Sequence, residues 1–95
     1  MDEEKIANAV AKQLDYLVGL YGPRDAWLNV SVFANFVANA ARIGGRDKDR
    51  LQEKIRKHLE KLAEAGEVQR WTDLWGAGSP RRKLLYRRTV SAPVR

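Results

Sequence analysis

The sequence contains no cysteine and a single histidine, His58, among its 95 residues. The missing thiols exclude a disulfide framework, a cysteine-based zinc site and a thiol nucleophile. One histidine gives too few ligands for a transition-metal site, and we interpret His58 as a boundary residue of a packed helix. No nucleophile–base pair or pair of carboxylates stands out either. These absences predict a protein that is not an enzyme and that needs no cofactor or metal.

Long apolar runs are also missing, since no stretch approaches the roughly 20 residues of a membrane-spanning helix. The chain begins with Asp2, Glu3 and Glu4 after its first methionine, where a secretion signal would be basic. We therefore expect a protein of the cytoplasm. A length of 95 residues fits one small domain over 1–95, with a modest core that would gain from a partner.

Acidic residues are absent after Asp73, and this asymmetry is the first positive clue. The chain carries 18 Lys and Arg against 12 Asp and Glu, a net charge of +6. Residues 1–44 contribute four bases and five acids, or −1, whereas residues 45–95 contribute fourteen bases and seven acids, or +7. A basic half on a neutral half is typical of a protein that docks a polyanion on one side. The alternative is charge that serves solubility alone.

Apolar periodicity predicts two helices in the neutral half of the chain. The first spans about 3–20, and its narrow polar stripe leaves apolar side chains around most of the helix. The second spans about 31–43, with Ser31 as its N-cap and Gly44-Gly45 as its end. Phe33 and Phe36 are expected in the core. A short β-prone segment over 27–30 precedes the second helix.

The third helix, over about 48–65, is the clearest element of the sequence. Asp47 or Asp49 can cap it, with Gln52 completing a capping box, and Gly66 ends it. Two series of side chains run along it. The apolar stripe comprises Leu51, Ile55, Leu59 and Leu62. The cationic ridge beside it comprises Arg50, Lys54, Lys57 and Lys61.

After Glu67 the pattern changes to two β-compatible runs, 68–74 and 83–89, joined by a linker rich in glycine and arginine. They predict a hairpin over about 67–89 with a basic tip, followed by an unpatterned tail over 90–95. Trp71 and Trp75 would share one face of a straight strand. There they could stack on unpaired bases, or pack against the domain or a second subunit.

The order helix, short strand, helix, helix, hairpin resembles the winged helix-turn-helix family. The string from Leu59 to Val68 is similar to the HLxxLxxxGxV ending of PadR-like and MarR-like regulators before their wing, with His58 in its place. The resemblance covers about 27–89. Two features depart from it: a long, charged stretch over 44–49, and the lack of a long C-terminal helix. It implies an α+β, mostly α fold of three helices plus a β-hairpin wing.

The same resemblance implies a function in binding double-stranded DNA. A dimeric transcription regulator is the default role, and a nucleoid-associated location would follow from it. Plasmid partition and chromatin organisation use the same chemistry. The competing class is a winged-helix module that binds protein or RNA, because this fold hosts both uses. No small-molecule effector is implied.

Site residues follow from the position of the third helix in the family. Four residues occupy positions that usually face the major groove and read bases: Gln52, Glu53, Arg56 and Lys57. Glu53 could accept from cytosine or pair with Lys57, and we favour the salt pair. Five residues suit contacts with the DNA backbone: Ser31, Arg46, Lys48, Arg50 and Lys54. The wing would contribute Arg81, Arg82 and Lys83 to contacts with the DNA backbone or an adjacent minor groove.

Apolar side chains around most of the first helix predict a homodimer held by that helix. One face would cover the core through Leu14, Leu17 and Leu20, which leaves other apolar residues for a second copy. The interface residues assigned on this basis are Ile6, Ala7, Val10 and Leu14. The alternative is that Ile6 and Val10 fold back on the wing or the C-terminal tail of their own chain.

Overall fold

Three helices and a small antiparallel sheet make up the computed structural model, which describes residues 2–74 and 82–89. The fold is α+β and mostly helical. The helices are α1 (Glu3–Tyr21), α2 (Val30–Ala40) and α3 (Arg46–Glu64), and the strands are β1 (Leu28–Asn29), β2 (Val68–Leu74) and β3 (Arg82–Arg88). The linker residues 75–81 and the tail over 90–95 lie outside the described residues.

Helix α1 begins where the acidic start of the chain favours it. Asp2 is the N-cap, and its Oδ1 accepts from the backbone N–H of Lys5 at 2.9 Å. The helix ends at Tyr21, one residue beyond the predicted end, because Gly22 adopts a φ of 83° that favours glycine. The polar stripe of α1, which comprises Lys5, Asn8, Lys12 and Asp15, faces solvent. Asp15 pairs with Arg88 of β3 at 2.9 Å.

Helix α2 is capped by Asn29, so the assignment of Ser31 as N-cap is wrong. Asn29 has extended backbone angles and its side chain accepts from the N–H of Val32 at 3.2 Å. An N-cap must be extended, and pairing in β1 keeps Asn29 extended. Ser31 is already helical and exposed in the first turn.

The predicted end of the second helix at Gly44-Gly45 is also wrong, because α2 stops at Ala40. Arg42 turns the chain with a φ of 57°, and the N–H of Ile43 donates to the carbonyl of Ala38 at 2.8 Å. This is a Schellman ending with arginine in the position that glycine usually takes. It directs Ile43 back against the core.

Helix α3 begins at Arg46 after Gly45, whose φ is 61°, and no side chain caps it. The expected cap at Asp47 or Asp49, and the capping box with Gln52, are therefore wrong. Both aspartates lie inside the first turn, where their charges suit the positive end of the helix dipole. Because the helix starts early, the charged stretch over 44–49 is mostly helical.

The other end of α3 forms as the sequence indicated. Gly66 adopts a φ of 78°, its N–H donates to the carbonyl of Ala63, and the N–H of Glu67 donates to that of Leu62. These two bonds make a Schellman motif that leads into β2.

The sheet has the strand order β1-β3-β2, with all pairs antiparallel. Leu28 of β1 pairs with Tyr86 of β3, and Val68 at the start of β2 pairs with Arg88. Alternation along the strands directs Leu28, Val68 and Tyr86 into the core. The hairpin of β2 and β3 matches the predicted strands within one residue.

The core lies between the three helices and one face of the sheet. From α1 it takes Ile6, Val10 and Leu14, exposed by 2% or less. These three residues cannot contact a second copy, so their assignment to a dimer interface is wrong. Ala7 is half-buried beside them. The sequence showed that α1 is apolar around most of its surface, but not which side faces its own core.

The core also omits residues that were expected in it. Leu20 of α1 is 55% exposed and Phe36 of α2 is 67% exposed, whereas Phe33 is buried. Each helix therefore presents a large apolar side chain to solvent.

Candidate nucleic-acid interface

The outward face of α3 is lined with cations. Leu51, Ile55 and Leu59 point inward at helical spacing, so the opposite side of the helix points out. Arg46 adds a further exposed cation at the start of the series Arg50, Lys54, Lys57 and Lys61, and all five are exposed. We call these five residues the α3 ridge. Fifteen positions at about 1.5 Å each make the ridge about 22 Å long.

The predicted base-reading residues divide between two positions on α3. Glu53 and Lys57 are exposed on its outward face, whereas Gln52 and Arg56 are half-buried on its flank. A reading surface made of all four side chains is thus not continuous in this structure.

Glu53 forms a salt pair with Arg56 and not with Lys57. The prediction that Glu53 is engaged in a salt pair is confirmed, but the predicted partner is wrong. The Nε of Arg56 donates to Oε2 of Glu53 at 3.1 Å, and a second guanidinium nitrogen bonds the other carboxylate oxygen. The hydrogen bond from Arg56 lowers the pKa of Glu53 and raises that of Arg56. The planar guanidinium can meet both carboxylate oxygens, which an ammonium cannot.

Four of the predicted backbone-contacting residues are exposed, namely Ser31, Arg46, Arg50 and Lys54. Lys48 is half-buried instead, because it lies on the inward flank of α3. Among the predicted wing residues, Arg81 lies outside the described residues. Arg82 and Lys83 belong to β3.

A cluster that the sequence did not indicate joins α3 to the sheet. The hydroxyl of Tyr86 donates to Oε1 of Glu60 at 2.8 Å, and Arg70 donates to the same oxygen at 2.9 Å. Glu60 lies on the same helix as the ridge, and these two bonds engage its charge on the flank of α3. The hydrogen bond from Tyr86 is the largest cause that lowers the pKa of Glu60, and burial raises the pKa of Tyr86. A buried tyrosine usually finds such a partner, but the partner here lies 26 positions away.

The outward face of the sheet carries two tryptophans and an arginine. The rings of Trp27 and Trp71 lie 5.7 Å apart between centroids, tilted by 46°. The guanidinium carbon of Arg87 lies 4.4 Å from the centroid of a Trp27 ring. Arg87 also donates to Oε1 of Gln69 at 3.0 Å and to the backbone carbonyl of Arg24. Trp71 remains 49% exposed.

Trp71 therefore packs against Trp27, a contact that the sequence pattern does not predict. Trp75 lies outside the described residues, so the shared face proposed for Trp71 and Trp75 falls there too.

Over residues 2–74 and 82–89, no three His, Cys, Asp or Glu side chains are grouped so that they could hold a metal ion. Nor does any helix of that part of the chain combine the length and apolar character of a membrane span. Comparison with family models, with curated proteins and with solved structures finds no match to this chain.

Proposed function

We propose that the protein binds double-stranded DNA through the α3 ridge, in the manner of a winged helix-turn-helix protein. The observation that carries the proposal is the exposure of five cations along one helix face. The element order α1-β1-α2-α3-β2-β3 and the strand order β1-β3-β2 are compatible with a winged-helix layout and support it.

The ridge has the dimensions and the charge for a duplex. An α-helix fits the major groove of B-DNA, and five cations over about 22 Å face a polymer with one negative charge per roughly 1.7 Å. Glu53 and Glu60 of the same helix are each paired with an arginine, which limits the repulsion between α3 and phosphates.

The roles within α3 follow from exposure. Lys57 projects from the outward face and takes part in no ion pair among the described residues, so it is the best placed base-reading side chain. Arg46 and Arg50 flank it toward the helix start and suit phosphates, which position the protein without reading sequence. Arg56 must leave Glu53 before it can contact guanine.

A second candidate function is a module that binds protein or unpaired nucleic acid. The observation that favours it is the pair Trp27 and Trp71 with Arg87, since aromatic rings beside a guanidinium can stack on bases. This cluster lies on the outward face of the sheet, whereas the ridge lies on α3.

Duplex binding measured across a salt series tests the proposal. Neutralising five phosphates gives a slope of about −4.5 for log affinity against log salt concentration. Arg50→Ala should reduce the slope by about one. Lys5→Ala removes the same charge from the outward face of α1 and serves as the matched control, with no change expected. A flat slope, or tighter binding to an RNA hairpin or a single strand than to duplex, would contradict the proposal.

The biological role needs a separate measurement. Genomic pull-down followed by footprinting should recover discrete sites if the protein regulates transcription or partitions a plasmid. Broad coverage without preferred sites would instead indicate chromatin organisation.

A further inference from the structure

Helix α2 lies in a segment without any charge. No charged residue occurs over 26–41, sixteen positions in a chain that is 32% charged. A helix on the surface of a monomer normally places charge on its outward face. The outward positions of α2 instead hold Ser31, Val32, Asn35, Phe36 and Asn39, all exposed. Depletion of charge with enrichment of aromatic side chains is typical of the centre of a protein–protein interface.

Large apolar side chains are exposed on α2 and on the neighbouring flank of α1. On α2 they are Val32 and Phe36, 65% and 67% exposed and one turn apart. On α1 they are Tyr16 and Leu20, 60% and 55% exposed and also one turn apart. We call these four residues the α1–α2 surface.

An open groove joins the two helices of this surface. Tyr16 and Phe36 line it from opposite sides, over a floor that includes Phe33 and Val37. Single exposed apolar residues are ordinary, but a contiguous apolar patch of several hundred Å² marks an interaction site. The groove offers space for an apolar side chain from another molecule.

The area of the surface suits a small dimer. A buried aromatic side chain covers about 150–250 Å², so rings that are about 60% exposed offer about 90–150 Å² each. With the two aliphatic side chains, the surface supplies about 400 Å² of apolar area on each protomer. A stable interface buries about 800 Å² per partner. The four residues would thus form half of such an interface, and the uncharged asparagines of α2 would contribute to its polar rim.

Charge selects a second copy as the occupant. Each chain carries +6, so two copies repel unless they meet through a neutral surface. The four residues of the α1–α2 surface are uncharged, and none of the ridge cations lines its groove, although Lys12 of α1 does. An acidic partner would bind the α3 ridge. A second copy of the chain presents the same uncharged apolar residues and can therefore bind the α1–α2 surface. Two-fold association of identical patches is also the commonest form of oligomer.

We propose that two copies of this chain associate through the α1–α2 surface, with Phe36 and Tyr16 of each copy packed at the two-fold axis. The interface includes α1, as the sequence predicted, but it uses the flank that faces α2 rather than Ile6 and Val10. The proposal rests on this surface alone and stands whether or not the ridge binds DNA.

Sedimentation velocity of the full chain without DNA tests the proposal over about 1–200 μM, a range in which weak and moderate dimers dissociate. The wild type should show a concentration-dependent shift from monomer to dimer. Phe36→Glu would place two charges at the dimer centre and should raise the dissociation constant by roughly 100-fold or more. Because Phe36 is 67% exposed, the variant should retain the wild-type circular dichroism and thermal unfolding of the monomer.

Trp71→Glu is the matched control, because it adds the same charge to an exposed aromatic position on the sheet. It should leave the dimer unchanged. Three results would overturn the proposal: a wild type that remains monomeric throughout, a dimer that persists in Phe36→Glu and also in Val32→Glu, or a dimer lost in Trp71→Glu alone.

Discussion

Replacing Tyr86 with phenylalanine removes the hydroxyl that joins the sheet to α3 and leaves the ring in place. Tyr86 is fully buried, and its hydroxyl lies 2.8 Å from Oε1 of Glu60. The ring packs in the core with Leu28 and Val68, so the change tests the hydrogen bond with little change in packing. It also tests the contact that holds β3 against the helix proposed to enter DNA.

The magnitude follows from the character of the acceptor. A hydrogen bond to a charged group contributes about 1.5–3 kcal/mol to stability. Glu60 keeps its bond to Arg70, and its side chain is 25% exposed, so water can replace part of the lost contact. We therefore expect Tyr86→Phe to cost about 1.5 kcal/mol, at the lower end of that range. In a domain of this size that loss lowers the melting temperature by about 6–12 °C.

The same bond makes a pH dependence that can be worked out in sign. The bond from Tyr86 lowers the pKa of Glu60 in the folded state. A carboxyl group whose pKa is lowered by folding contributes stability at pH values above its pKa in the unfolded chain. This contribution is lost as the pH falls through its pKa in the folded state. The cost of Tyr86→Phe should thus be largest at about pH 7 and should shrink toward about pH 3, as the pH falls toward the lowered pKa of Glu60.

Urea unfolding of the wild type and the variant at both pH values provides the measurement. Tyr21→Phe is the control, because Tyr21 is 60% exposed and the loss of its hydroxyl should cost little at either pH. An unchanged stability in Tyr86→Phe, or a cost that is equal at both pH values, would refute the role assigned to the bond.

Further predictions concern two turns and the DNA-reading side chains. Arg42→Gly should stabilise the protein by about 0.5–1 kcal/mol. Arg42 holds a φ of 57°, which costs a non-glycine residue about 1–2 kcal/mol. Glycine relieves this strain but loses more backbone entropy on folding, which offsets part of the relief. Gly66→Ala, at a φ of 78°, should lower the melting temperature in the same thermal unfolding assay, and the reverse ranking would show that these turns are not strained. On a duplex selected from a random pool, Lys57→Ala should cost about 1–3 kcal/mol in binding and Arg56→Ala less, because Glu53 holds Arg56. The opposite order in a fluorescence polarisation assay would show that Arg56 leaves its partner and reads the base.

Local rules were sufficient for the elements that the chain forms by itself. The stripe from Leu51 to Leu59 has a helical period, and the glycine at position 66 has a conformation that ends helices, so α3 and its C-terminal motif could be predicted. The strands of the hairpin followed from β-prone runs on either side of a glycine-rich linker. Exposure of the ridge followed from the position of the apolar stripe, because the two series lie on different faces of one helix.

Contacts between distant parts of the chain decided the rest. The pairing of β1 with β3 keeps Asn29 extended and makes it the cap of α2, although Ser31 has an equally suitable side chain. The packing of α1 on α3 and the sheet decides that Ile6 and Val10 face the core while Tyr16 and Leu20 do not. Periodicity shows which faces of a helix are apolar but not which neighbour each face meets. In α1, the face toward the core and the face toward solvent both carry apolar residues.

The candidate site divides in the same way. The sequence determined that α3 carries a row of cations, because charge and spacing are properties of one segment. Only the tertiary structure decided that Glu60 binds Tyr86, 26 positions away. It also exposed Phe36 on an uncharged helix. These outcomes depend on which flank of each helix meets the sheet or the solvent, and that orientation is fixed by the packing of the whole chain rather than by any single segment.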